Sequence, residues 1–152
     1  MIQTSKEDFF IKIITAQETH AVRHPVLRSG RPIEDCIFDK DELDTTFHLG
    51  LFHKNKLSGV VTYLKNGSPL LSNTSQYQLR GMAVLEDLQG HNLGTALTKH
   101  GETILRNLKA DAVWCNAREI AVPFYKKNGF EIIGEPFHIP KIGLHFTMYK
   151  LL

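Results

Sequence analysis

The chain has 152 residues, 42% hydrophobic and 22% charged, enough apolar material to bury the core of one domain. That composition excludes a disordered tail, and two distant cysteines, Cys36 and Cys115, without a CxxC exclude a disulfide framework or zinc cluster. Eighteen Lys and Arg against sixteen Asp and Glu leave +2, too balanced for a nucleic-acid-binding face.

The start, Met1-Ile2-Gln3-Thr4-Ser5-Lys6-Glu7-Asp8, is polar and acidic where a signal peptide is cationic and then apolar. No run approaches the roughly 18 consecutive apolar residues of a membrane span. The expectation is a cytoplasmic protein with neither membrane nor nucleic-acid partners.

In chain order, Phe9-Phe10-Ile11-Lys12-Ile13-Ile14 is β-branched and aromatic and predicts a strand. Thr15 caps a helix over about residues 17–27, which Pro25 should kink or split. Residues 29–45 carry Gly30, Pro32 and the acidic run Glu34, Asp35, Asp39, Asp41, Glu42, Asp44, and predict an irregular, solvated connection. That run is also able to attract a cationic amine. Strands at 46–52 and 57–64 flank a hairpin turn, His53-Lys54-Asn55-Lys56. Asn66-Gly67-Ser68-Pro69 and Ser72-Asn73-Thr74-Ser75 mark a loop before a strand at 77–84.

After Val84 the period changes, and Leu93, Ala96, Leu97, Ile104, Leu105 and Leu108 fall on one helix face. Ala112-Val113-Trp114-Cys115 predicts a short buried strand in which both Trp114 and Cys115 are core residues. A helix over about 120–128 stops at Gly129, and strands at 130–133 and 143–152 follow, separated by Pro136 and Pro140. The order β-α-β-β-β-α-β-α-β-β predicts one α/β (α+β) domain over 1–152, a central mixed sheet with helices on both faces.

The segment Met82 to Leu97 carries the strongest chemical signal. A strand enters, a loop with Gly90, Asn92 and Gly94 turns, and a long amphipathic helix leaves. The helix N-terminus offers unpaired N–H groups and the positive end of the macrodipole, which suit a phosphate or pyrophosphate. The same pattern also serves close strand-to-helix packing. It is not a Walker loop, since no Lys-Ser/Thr pair follows the last glycine, and G-x-G-x-x-G is absent.

A second segment, Ala117-Arg118-Glu119-Ile120-Ala121-Val122-Pro123-Phe124-Tyr125-Lys126-Lys127-Asn128-Gly129-Phe130, follows the next strand. Together the two resemble the acyl-CoA-binding core of the GNAT superfamily of N-acyltransferases. That family's first motif, Gln/Arg-x-x-Gly-x-Gly/Ala, is matched by Gln89-Gly90-His91-Asn92-Leu93-Gly94 except at Asn92, where glycine is usual. Asn tolerates the left-handed region better than other non-glycine residues, so the turn should survive. The later motif, Ala-x-x-Phe/Leu-Tyr-x-x-x-Gly-Phe, is met by Ala121, Phe124, Tyr125, Gly129 and Phe130. The Asn usual seven residues before that Tyr is here Arg118, with Asn116 near enough to substitute. The resemblance covers residues 78–130 strongly, and His145-x-x-Met148 is similar to the ElaA-like branch.

The resemblance implies a mostly antiparallel sheet whose strands splay beside the loop, acetyl-CoA as cosubstrate, and no metal. It implies that Met82, Ala83 and Val84 line the pantetheine arm and that the amides of Gln89, Gly90, His91, Asn92, Leu93, Gly94 and Thr95 cradle the pyrophosphate. Asn116, Arg118, Phe124 and Tyr125 complete the cofactor site. Transfer from a thioester to an amine expels a thiolate, and Tyr125 is placed to protonate it. The Val84 N–H is the natural donor to the oxyanion. The base is open among His145, His138, His48, Glu86 and a water chain.

The expected activity is acetyl transfer to a primary amine of a small molecule or peptide by direct attack in a ternary complex. Two alternatives stay open, a non-catalytic CoA-binding sensor and a structural α/β domain. A homodimer through exposed sheet edges is a further expectation. His20 and His24, four apart on a helix, have metal-compatible spacing but no accompanying Glu or third ligand.

Overall fold

A computed structural model describes residues 9–152; the start, Met1–Asp8, lies outside the described residues. The fold is mixed α/β with an open, mixed sheet. The chain divides into two compact units, one holding the residues up to Leu64 with Gly81–Gly101, the other Lys65–Arg80 with Glu102–Leu152.

In the first unit β1 (Phe9–Ile14), β2 (Phe47–His53) and β3 (Lys56–Lys65) form an antiparallel meander. Lys54 and Asn55 join the last two with φ of 50° and 68°, the left-handed pair of a type I′ turn. Thr15 caps the next segment as expected, and Glu18 completes the arrangement. The Thr15 N–H donates to Glu18 Oε1 at 2.8 Å and the Glu18 N–H to Thr15 Oγ1 at 3.1 Å, a capping box.

Pro25 does not break the helix. A 3-10 turn (Gln17–Thr19) leads into α1 (His20–Leu27), and Pro25 sits in its last turn. The carbonyl that loses its donor belongs to exposed Ala21, where water can reach it.

Helices cover both faces of this unit. Arg23 of α1 bonds Thr62 Oγ1 on one face of β3. On the other, α2 (Leu93–Asn107) passes so close that a Cβ on Gly59 would meet Leu97, and Gly101 has no room for one against the Tyr63 ring. Ile14, Val22, Val60 and Ala83 form the core on the α1 side.

The connection over 29–45 is not simply solvated. Asp41 is buried and pairs with Arg23, which has no exposed surface, at 2.7 Å. Arg23 also donates to the Cys36 carbonyl at 2.9 Å and to Thr62 at 2.8 Å, and its guanidinium lies 4.0 Å over the Phe38 ring.

The second unit holds the first half of β4 (Gln76–Val84), which runs parallel to β5 (Ala112–Arg118) over only three pairs, Gln76–Gln78 against Ala112–Trp114. Strand β5 is longer than the sequence predicts and pairs antiparallel with β8 (Gly143–Leu151) along its whole length. β6 (Glu131–Ile132) and β7 (Phe137–Ile139) pair with the other edge of β8. The tripeptide β7, between Pro136 and Pro140, is too short for a periodic signal. Leu108, expected on the buried face of α2, is the residue after its end and half exposed. Lys109 takes φ 65° there, so the chain leaves the helix before Leu108 can pack.

Candidate active site

The turn after β4 is built almost wholly from main chain. A 3-10 turn (Glu86–Leu88) follows the strand, Gly90 and Asn92 take φ of 86° and 62°, and α2 begins at Leu93. Asn92 therefore occupies the left-handed region, as its residue type allows. The first helical hydrogen bond runs from the Ala96 N–H to the Asn92 carbonyl at 3.1 Å. The N–H groups of Leu93, Gly94 and Thr95 precede that bond and have no acceptor within the helix.

Gln89 behaves differently from the residues after it. Its amide donates to the Glu86 carbonyl at 3.2 Å, and its side-chain Nε2 donates to the Val84 carbonyl at 2.9 Å. It braces the loop against the strand end, while Gly90, His91 and Asn92 stay exposed. Ala83 is buried on the α1 side; Met82 and Val84 are half-buried. Beside the first turns of α2 the same unit holds a groove of about 390 Å³ lined by Phe9, Leu51, His91, Leu93 and His100.

In the second unit, Tyr125 lies on α3 (Val122–Lys127), with Pro123 in the first turn where a missing N–H costs nothing. The helix closes in a Schellman motif. Gly129 takes φ 93°, its N–H donates to the Lys126 carbonyl at 3.1 Å, and the Phe130 N–H donates to the Tyr125 carbonyl at 3.0 Å. The spacing Tyr-x-x-x-Gly-Phe thus has a local cause: Phe130 packs back on Tyr125. The Tyr125 ring meets Phe130 edge-on at 5.3 Å and Phe124 at 5.0 Å, and the residue is only 6% exposed. Both descriptions of Tyr125, core aromatic and motif residue, hold for its ring.

The two C-terminal histidines lie on opposite faces of their hairpin. His145 pairs with Phe137, and His138 with Leu144. His138 is exposed. His145 is 4% exposed, its ring stacks on Phe137 at 5.8 Å, and its Nδ1–H donates to the Gly143 carbonyl at 2.8 Å. That bond leaves Nε2 as the nitrogen able to exchange a proton. Arg118 is registered directly opposite His145, and Asn116 opposite Thr147, whose hydroxyl donates to Asn116 Oδ1 at 2.9 Å. Thr147 went unremarked in the sequence, although period-two alternation along 143–151 puts it on the same face as His145.

The remaining base candidates are His48 and Glu86. His48 is buried, its Nε2–H donating to the Asp41 carbonyl at 3.0 Å and its Nδ1 accepting from Thr62 at 2.7 Å. Burial pushes its pKa below the ordinary histidine value. Glu86 is exposed in the 3-10 turn. His24 Nε2 lies 2.7 Å from the Arg31 carbonyl, which a metal-bound nitrogen would forgo. Burial raises the Cys115 thiol far above its ordinary pKa, as befits a core residue.

The comparisons with known proteins show which family carries this fold. The acetyltransferase (GNAT) family profile matches residues 10–130. The chain belongs to the GNAT family of acetyltransferases and is an acetyl-CoA-dependent N-acyltransferase. It is 41% identical over 142 residues to the uncharacterized N-acetyltransferase YitI of Bacillus subtilis, covering 93% of this chain and 95% of that protein. Its fold is similar to that of Escherichia coli ElaA, with a TM-score of 0.73 at 19% identity over 93% of this chain and 99% of that one. A GNAT family acetyltransferase from Elizabethkingia anophelis with acetyl-CoA bound gives 0.68 at 16% identity, over 96% and 99%. Among the described residues no helix is long and apolar enough to cross a membrane.

Proposed function

We propose that the protein acetylates a primary amine of a small molecule or peptide by direct attack on acetyl-CoA in a ternary complex. The observation that carries this reading is the turn at Gly90–Thr95. Two left-handed residues lead the chain into α2, and the N–H groups of its first turn together with the helix dipole suit a diphosphate. Met82, Ala83 and Val84 supply main chain to the pantetheine arm, and the family profile crosses both compact units, which supports one acetyltransferase domain.

His145 Nε2 takes a proton from the acceptor ammonium, since a protonated amine has no lone pair with which to attack. The amine nitrogen then bonds to the thioester carbonyl carbon while the Val84 N–H stabilises the oxyanion. As the C–S bond breaks, Tyr125 gives its proton to the departing thiolate, and the nitrogen releases its second proton through solvent. The products are the N-acetylated amine and free CoA. His138 is exposed on the opposite face of its hairpin, which favours His145 over it as the base. The two free, buried cysteines support a reducing, cytoplasmic setting, and the exposed Phe10 and Ile13 of β1 support pairing of that edge with a second copy.

CoA release over an amine panel tests the reading. Tyr125→Phe should lower kcat by about 10²- to 10⁴-fold while acetyl-CoA binding persists. Wild-type protein that binds acetyl-CoA but releases CoA with no amine would overturn it.

A further inference from the structure

The two faces of the β5–β8 pair differ sharply. Val113, Cys115, Ala117 and Met148 lie on one and are buried. Lys150, on that same face, donates to Glu102 of α2 at 2.9 Å and to the carbonyl of Asn128 at the end of α3 at 3.0 Å. The helices of this unit therefore cover that face.

The opposite face carries polar groups where the strands run toward the β7–β8 hairpin. Asn116 and Arg118 of β5 stand beside Thr147 and His145 of β8, each pair in direct register, so that their Cβ atoms are about 5 Å apart. Thr147 is buried and its hydroxyl donates to Asn116 Oδ1, a bond that does not use the amide's two N–H donors. Arg118, half-buried, adds five donors in a planar fork. Of the side chains registered beside His145 on this face, Arg118, Asn116, Thr147 and Phe137, none is a carboxylate. The nearest carboxylate at a paired position on the face, Glu131, is registered against Tyr149, four residues and about 13 Å along β8 from His145.

We propose that this face selects an acceptor amine that also bears a carboxylate, held by the Arg118 fork and the Asn116 amide, with its amino group at His145 Nε2. The inference rests on the acetyltransferase reading above. A polyamine is poorly suited to this face, because its second ammonium would lie against the Arg118 guanidinium. It is well suited to an amino acid or an amino-acid-like amine, because a guanidinium and a carboxylate match in geometry as well as charge. Arg118 and Asn116 thereby read the acceptor in place of the CoA contact that the family pattern assigns to this point of the chain.

Matched amines test this: amino acids and ω-amino acids, each against its carboxamide, with cadaverine as a dication. The acids should exceed their amides in kcat/KM by roughly tenfold or more. Arg118→Gln should erase that ratio by raising the KM of the acids, with the KM of acetyl-CoA at its wild-type value, and Arg118→Lys should restore part of it. Amides or cadaverine serving as well as the acids would overturn the inference and leave the acetyltransferase reading intact. So would a variant whose main defect is in the KM of acetyl-CoA. A second readout works without turnover: N-acetylglycine should raise the Tm of the CoA-loaded protein, N-acetylglycinamide should not, and Arg118→Gln should abolish the difference. Equal shifts, or none with either, would also overturn it. Failure of every amine to release CoA, with the acid-specific Tm shift present, would instead overturn the acetyltransferase reading.

Discussion

The turn from Gly90 to Thr95 and the cluster around Arg23 both lie in the first unit, and they are made in opposite ways. The turn uses main chain: φ values, the N–H groups ahead of the first helical hydrogen bond, and small residues. The cluster uses side chains from distant points of the chain, Arg23, Asp41, His48 and Thr62, locked into a chain of hydrogen bonds with almost no exposed surface. Arg23 joins Asp41 and Thr62; Thr62 donates to His48; the His48 ring returns to the Asp41 carbonyl. The first region depends on backbone conformation and the second on which side chains meet.

The largest effect expected from breaking this contrast is at Arg23. Arg23→Met strands the Asp41 carboxylate in the interior and should cost about 3–5 kcal/mol in denaturant unfolding. Arg23→Met with Asp41→Leu should regain most of that loss, because no unpaired charge remains. A single substitution costing under about 1 kcal/mol would show that the pair contributes little.

A backbone test of the turn comes next. Asn92→Val puts a β-branched residue at φ 62°, a conformation it resists by about 1–2 kcal/mol, and acetyl-CoA affinity measured by calorimetry should fall by roughly tenfold. Asn92→Gly should bind at least as tightly as wild type. Equal affinities for all three would mean that the left-handed step does not matter to the ligand.

The contrast also explains what was legible in the sequence. Gly90, Asn92 and the Tyr-x-x-x-Gly-Phe run announce themselves because left-handed conformations and Schellman caps restrict residue type over a few neighbouring positions. The hairpin at Lys54–Asn55 is readable for the same reason. Nothing local marks Arg23 as buried, since its partners stand 18 and 39 residues away and an arginine on an amphipathic helix ordinarily faces solvent. Asp41 was hidden inside an acidic run whose other members are exposed or only partly covered. The Arg118–His145 pairing depends on the register of two strands, which the pattern of either strand alone leaves undetermined.

The smallest effect concerns pH. Burial holds the folded His48 pKa below its ordinary value of about 6.5. As pH falls below that value the unfolded chain takes up a proton that the folded imidazole resists. Stability should therefore be level with respect to His48 above about pH 7 and decline as pH drops through its lowered folded value. His48→Gln should flatten that part of the urea-midpoint profile, with the similarly depressed His20 titrating alike in both proteins. An unchanged slope would mean that His48 is freely protonated in the folded state.

Amide NMR spectra recorded with CoA and with pantetheine, which lacks the diphosphate, address the turn most directly. The resonances of Gly90 through Thr95 should move on adding CoA and stay in place on adding pantetheine, while those of Met82 to Val84 respond to both. Movement of the 90–95 amides with neither ligand, or equally with both, would contradict the assignment of the diphosphate to the start of α2.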